Sequence, residues 1–240
     1  MKTYIILPFL AIALYFVGCK KDNQVIKPNP NVNGRIKTET TLRQDTIGLH
    51  FVDSVVYTYT PEGLLLDYIV KDTLGGPVAK VAYQYIDDLV KETRYQSDLV
   101  TITATTTFTL NTRGYVIHRT GQNYLYLYNA DGYLINMENG LTGSIRQFTV
   151  SDGNLQKAVF TDADTTFTTL YSYYIDKPEY RNIGQPYFGT QSISTLSQYT
   201  TSVGLAVNYT YLYDAKGRVI KRTAVSNLTG TLITYYTYFD

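Results

Sequence analysis

Cysteine occurs once in 240 residues and tryptophan not at all. A single thiol excludes an internal disulfide framework, and an odd cysteine calls for another use. The two histidines, His50 and His118, fall in neither an HxH nor an HExxH spacing, so the sequence offers no histidine metal motif. No GxSxG elbow and no phosphate loop is present. The formal net charge is +1, which gives no basic excess for nucleic acid and no acidic excess for a cationic partner. Long hydrophobic runs are also missing. The longest, Tyr4 to Val17, covers about 14 residues, short of the roughly 20 that a membrane-spanning helix needs.

What surrounds that run accounts for the thiol. Lys2 supplies a basic head, Tyr4 to Val17 an apolar middle and Gly18 a small residue before a cut, the order of a secretory signal peptide. Phe16-Val17-Gly18-Cys19 resembles the lipobox of bacterial lipoproteins. The resemblance implies cleavage before Cys19, a diacylglycerol on its sulfur and an acyl chain on its new amine. Two or more chains anchor stably where one is marginal, at ~0.8 kcal/mol per buried methylene. An ordinary signal peptide with an incidental cysteine is the alternative. Lys20-Lys21-Asp22 follows, resembling the short charged stretch of lipoproteins sent to the outer face of the outer membrane. Asn23 to Asn33 (NQVIKPNPNVN) reads as a linker holding the folded part clear of the bilayer. The expected division is residues 1–18 signal peptide, 19–34 lipid-anchored linker and 35–240 one folded domain. Localisation is expected at the outer membrane, lipid-anchored, facing the periplasm or the cell surface.

Twenty-five tyrosines and many threonines, as in Thr101 to Thr109 (TITATTTFT), favour half-buried pleated surfaces. No helical apolar period of useful length follows Cys19, so the mature chain is expected to be all-β. A repeat runs through it: Tyr57 to Asp67 (YTYTPEGLLLD), Phe108 to His118 (FTLNTRGYVIH), Tyr126 to Asn136 (YLYNADGYLIN) and Tyr211 to Lys221 (YLYDAKGRVIK). Looser copies begin at Tyr83, Phe148, Tyr171 and Tyr235. In Asp214-Ala-Lys-Gly217, Asp caps a type I turn and Gly takes the left-handed conformation that closes a bulged hairpin. The predicted register sets Tyr213 opposite Val219, Tyr128 opposite Leu134, Tyr59 opposite Leu65 and Leu110 opposite Val116. Asp152-Gly153 makes a two-residue turn that sets Val150 opposite Leu155. Asn182 to Ser202, with Gly184, Pro186 and Gly189, matches no copy and reads as a long irregular insertion. Tyr124, Tyr126 and Tyr128 share one strand face while Leu125 and Leu127 share the other. Both faces are thus partly apolar, and the expected architecture is tandem antiparallel β-hairpins in a meander, a coiled or curled sheet.

Tyr211-x-Tyr213-Asp214-x-x-Gly217-Arg218-Val219 resembles the YD repeat of RHS-type proteins. The wider arrangement, lipobox first and hairpins after, resembles uncharacterised Gram-negative surface lipoproteins built from YD-like β-hairpins. The resemblance spans the chain from about Ser54 onward. It implies repeat architecture, an extracytoplasmic setting and no enzymatic activity.

Other sites read as follows. Asp87-Asp88 and Asp162 to Asp164 carry oxygen donors for calcium, but acids at hairpin tips are usually turn-formers; no metal and no cofactor is expected. His118 is expected to face solvent. Two tyrosine strips, Tyr124, Tyr126 and Tyr128, and Tyr209, Tyr211 and Tyr213, are the candidate binding platforms, since aromatic rings stack on sugars and partner side chains. The expected function is a non-catalytic envelope lipoprotein that presents a β-repeat surface to a glycan or an envelope protein. A lipid-anchored glycan hydrolase with an unrecognised carboxylate pair and a purely structural envelope component are the alternatives.

Overall fold

The computed structural model describes residues 34–44, 48–121, 123–179, 183 and 185–240. Cys19, the expected signal peptide and nearly all of the expected linker lie outside these residues. The strands are β1 Ile36–Gln44, β2 Leu49–Tyr59, β3 Leu65–Lys71, β4 Pro77–Ile86, β5 Leu89–Tyr95, β6 Ile102–Leu110, β7 Val116–Arg119 and β8 Tyr124–Tyr128. The second half comprises β9 Leu134–Asn139, β10 Ile145–Ser151, β11 Asn154–Thr161, β12 Thr166–Pro178, β13 Ser194–Thr201, β14 Ala206–Tyr213, β15 Val219–Ser226 and β16 Gly230–Tyr238.

Each strand pairs antiparallel with its sequence neighbours, and β1 pairs with β16 from Ile36↔Tyr238 to Gln44↔Thr231. Among the described residues the sixteen strands thus form one closed barrel. This overturns the expected coiled or curled open sheet. The local reason for the meander is unchanged. What sequence reading lacked was the pairing of the first strand with the last, which leaves neither edge open.

The turn chemistry acts as anticipated. Gly63, Gly114, Gly132 and Gly217 all have φ between 77° and 86°. Each donates its N–H to the carbonyl of Thr60, Asn111, Asn129 or Asp214. The side-chain oxygens of those same four residues accept the N–H of Leu64, Tyr115, Tyr133 and Arg218. Tyr59↔Leu65, Leu110↔Val116, Tyr128↔Leu134 and Tyr213↔Val219 each sit beside a one-residue bulge. At Asp152-Gly153, φ is positive at both residues and Val150 pairs with Leu155. All these tips gather at one end of the barrel. The expected insertion is shorter than its sequence bounds, because Ser194–Thr201 forms β13, and only residues 179–193 remain as a connection.

Strand alternation turns one face inward. Along β8, tyrosines 124, 126 and 128 face the lumen, and Leu125 and Leu127 are exposed outside. The lumen holds one cluster of Ile36, Tyr57, Leu65, Val81, Tyr83, Val90, Phe108, Val116, Tyr187, Val219 and Tyr236, among others. A second cluster, with Tyr171, Leu196, Tyr199, Val207 and Tyr209, packs along β11 to β15. Tyr211 packs against both.

Candidate functional site: the aromatic lumen

The lumen tyrosines have a structural task that recurs around the ring. The β1–β2 ladder begins at Thr38↔Val56, and the Tyr59 hydroxyl donates to the Ile36 carbonyl beyond it (2.8 Å). The β3–β4 ladder begins at Asp67↔Ala82, and Tyr85 donates to Leu65 (2.8 Å). The β13–β14 ladder begins at Gln198↔Asn208, and Tyr211 donates to Leu196 (2.7 Å). The β15–β16 ladder begins at Lys221↔Tyr235, and Tyr238 donates to Val219 (2.6 Å). In every case the acceptor precedes the first ladder pair by two residues and the donor follows it by three. Beside a bulge the ladder leaves a buried carbonyl, and a neighbouring hydroxyl satisfies it. Burial raises the pKa of Tyr59, Tyr85, Tyr211 and Tyr238 well above that of free tyrosine, so the donors keep their protons.

Two further positions vary the device. Tyr173 stands where the rule expects a donor, but Ser192 intervenes: its hydroxyl donates to Tyr173 and accepts the Leu155 N–H. Tyr128 also obeys the spacing, yet its buried hydroxyl has no partner among the described residues. Its ring instead lies 5.1 Å from that of Tyr115.

The connection between β12 and β13 crosses one mouth of the barrel. Pro186–Phe188 forms a single 3-10 turn with Tyr187 buried. The Tyr187 ring meets Tyr85 and Phe108 at 6.1 Å each, and Phe188 meets Phe108 at 5.6 Å edge-on. Tyr85 and Phe108 belong to β4 and β6, across the ring from the hairpin that carries the strap. The return leg is tied down where the Thr190 N–H bonds the Gly132 carbonyl and its hydroxyl donates to the Asp131 carbonyl. A Cβ on Gly189 (φ +90°) would meet the Gly132 carbonyl at 2.6 Å and the Tyr128 ring at 2.5 Å, so this crossing needs glycine. Between strap and wall lies a small recess lined by Tyr133, Leu134, Phe148, Val150, Leu155, Thr190 and Ser192.

Toward the other mouth the lumen becomes wetter and charged. Along β6, Phe108 and Thr106 are buried, whereas Ala104 on the same face is exposed. Glu92 accepts from Arg94 (2.9 Å) and from the Tyr83 hydroxyl (3.2 Å). Thr41↔Asp53 and Glu39↔Val55 put Glu39 and Asp53 on the same inner face of β1–β2. Burial raises the Asp53 pKa, the Thr41 hydroxyl opposes that rise and the Glu39 carboxylate adds to it. Arg119 projects inward opposite Phe108 and Tyr124, with its guanidinium 5.6 Å and 5.9 Å from their rings. Arg146, on the same face, lies 5.4 Å from Phe160.

The predicted site residues therefore divide. Both tyrosine strips are brought together on one surface, the lumen wall. Tyr209 is buried and stacks on Tyr211 at 6.4 Å; Tyr211, Tyr213, Tyr124, Tyr126 and Tyr128 are half-buried. Cys19 falls outside the described residues. His118 lies on the outer wall, opposite Leu125, and its Nε2 is 3.0 Å from the Asn123 amide oxygen. Asp162 is a turn-former whose Oδ1 accepts from the N–H groups of Asp164 and Thr165. No group of three or more potential metal ligands occurs among the described residues. Sequence reasoning missed Arg119, Arg146, Glu39, Asp53 and the strap. The inward position of both arginines was encoded in the hairpin register, since Phe108, Arg119 and Tyr124 are successive cross-strand partners, as are Tyr126, Met137 and Arg146.

Two solved structures resemble this fold. A porin-like protein from Bacteroides uniformis ATCC 8492 matches with a TM-score of 0.64 at 18% identity, covering 88% of this chain and all of that one. A porin-like protein from Bacteroides vulgatus ATCC 8482 matches with a TM-score of 0.53 at 13% identity, covering 85% of this chain and 99% of its own. At these identities the likeness is one of fold. No family model matches the chain and no curated protein does, so the RHS-type resemblance rests on the repeat residues alone.

Proposed function

We propose that this chain is a non-catalytic, lipid-anchored barrel of the bacterial outer membrane, tethered through Cys19 and residues 19–34 beside the bilayer, and that it is a binding module and not a channel. The observation that carries this reading is the strap: Tyr187 and Phe188 seat aromatic rings against the far wall and fill one mouth. The porin-like neighbours support an envelope setting.

Two features of the wall favour a barrel held off the membrane. A membrane-crossing strand needs about 9–11 residues. Here β7, β8 and β9 have four, five and six. A spanning barrel also wears an unbroken apolar band about 25 Å tall. On this outer wall Lys80 pairs with Asp67 at 3.4 Å, and Lys91, Glu138, Lys157 and Lys221 sit in register between other strands. Each of these lysines would cost about 2–4 kcal/mol at a bilayer midplane, and the acids somewhat less.

Fractionation of Cys19→Ser tests the reading. The variant is expected in the soluble fraction, folded, while the parent stays with membranes. A variant that resists carbonate extraction would make the barrel itself the membrane element and overturn the proposal.

A hydrolase is the second reading, favoured only by the placement of Glu39 and Asp53. The two are diagonal neighbours on one antiparallel pair, a placement that lets two carboxyl groups face the same sugar. Turnover of a polysaccharide that is abolished by Asp53→Asn would establish it.

A further inference from the structure

We infer that the lumen wall from β7 to β11 is a binding site for an acidic saccharide, with Arg119 and Arg146 taking its carboxylate or sulfate and Tyr124, Tyr126 and Phe160 flanking its ring. This rests on the reading of the barrel as a binding module with one mouth open to water.

The first support is uncompensated charge. Among the described residues, neither Arg119 nor Arg146 forms an ion pair, whereas Arg94 is paired with Glu92 and Arg218 with Asp214. The Arg119 Nε is buried and without a hydrogen-bond partner. Burying a donor unpaired is costly, and more so for a charged group. A fold that keeps such a donor inside its lumen holds it available to an acceptor from elsewhere.

Register gives the second. The inward residues of β7 to β11 include Val116, Arg119, the β8 tyrosines, Met137, Arg146, Phe148 and Phe160, with no carboxylate. Glu138 pairs with Leu125 and Ile145, on the outside. Two cations thus share a wall with no inward anion, and the low dielectric of aromatic surroundings strengthens their field. Tyr126 lies between them, because Tyr126↔Met137 and Met137↔Arg146 are consecutive pairs, and Tyr124, two residues earlier, faces Arg119. Burial pushes the Tyr126 hydroxyl up to about 12 while both arginines pull the other way, so it stays a donor at neutral pH.

Access is the third. β6 has nine residues, but β7 and β8 have four and five. The rim drops there, and Arg119 and Tyr124 stand at the bottom of the notch, both half-buried. A pyranose ring can enter over this edge and meet aromatic faces, with its acid group toward the guanidiniums. Arginine presents a planar fork suited to bidentate contact with a carboxylate or sulfate.

The test uses full-length Cys19→Ser protein in titration calorimetry with three probes of equal length: oligogalacturonate, a sulfated oligosaccharide and a neutral gluco-oligosaccharide. One or both acidic probes are expected to bind, the neutral one not, with affinity falling as salt rises. Arg146→Gln is expected to weaken binding tenfold or more, the loss of one charged hydrogen bond; Arg119→Gln does the same if it folds. Comparable binding of the neutral probe, no binding of either acidic probe, or unchanged affinity in a folded Arg146→Gln overturns the inference. The tether reading is decided by fractionation alone, so the two fail separately.

Discussion

Replacing Tyr85 or Tyr238 by phenylalanine removes one oxygen atom and leaves the ring in place. The lost hydroxyl is the partner of a carbonyl on Leu65 or Val219, residues with 0% exposure. Water cannot reach those carbonyls, so each substitution is expected to cost the penalty of an unpaired buried acceptor, about 1–2 kcal/mol. For a domain of this size that is roughly 3–6 °C in Tm. The two sites lie four strands apart around the ring, about 19 Å at the usual strand spacing. Their effects should therefore add to about 2–4 kcal/mol, a large part of the about 5–15 kcal/mol of a typical domain. The control is Tyr199→Phe, which deletes a buried hydroxyl that has no partner and should be neutral or slightly stabilising. Urea unfolding followed by far-UV circular dichroism, with the slope held constant, measures the parent, the two single variants, the double variant and the control. If Tyr199→Phe costs as much as Tyr85→Phe, the rings alone hold the barrel and the carbonyl-capping argument is wrong.

Gly189→Ala should unseat the strap, since its Cβ has no room against Gly132 and Tyr128; faster proteolytic cleavage within 179–193 with the barrel's far-UV spectrum unchanged is the expected signature, and unchanged cleavage would refute the close crossing. Many tyrosines here have raised folded-state pKa values, chiefly through burial. Their contribution is complete below the ordinary tyrosine value of about 10 and is lost as pH climbs above it. Tyrosinate absorbance should accordingly appear together with unfolding; a graded rise in a still-folded barrel would contradict the packing. Asp53, with a raised pKa, works in the carboxylate range: its burden is absent below the free aspartate value and grows as pH rises. Asp53→Asn should therefore raise Tm at pH 7 and not at pH 3, and an equal gain at both would discount the Glu39 and burial effects.

How much of this could be read in the chain follows from the range of each interaction. Asp214 and Gly217 lie within one turn, so their chemistry fixed the Tyr213–Val219 register unaided. Closure depended on β1, whose IKTETTLRQ carries no template residue and buries only Ile36 and Glu39. Its partner β16 is about 200 residues away, beyond any local pattern. Tyr124–Tyr128 shows why the inner face was ambiguous: tyrosine and leucine are both apolar enough to be inside, and curvature, not composition, chose the tyrosines. The strap was legible as an interruption at Pro186 and Gly189, but its landing place on Tyr85 and Phe108 required the ring to exist first.

The mutual pairing of the first and last strands has a consequence for how the molecule is made. A chain cut short before Gly230 would not lose one strand from a sheet; it would bare two long rows of backbone donors and acceptors, on β1 and β15. No partly made polypeptide can therefore bury both of its seams. The nine residues of β16 act as a clasp, and until they are in place the bared edges are free to pair with those of other copies.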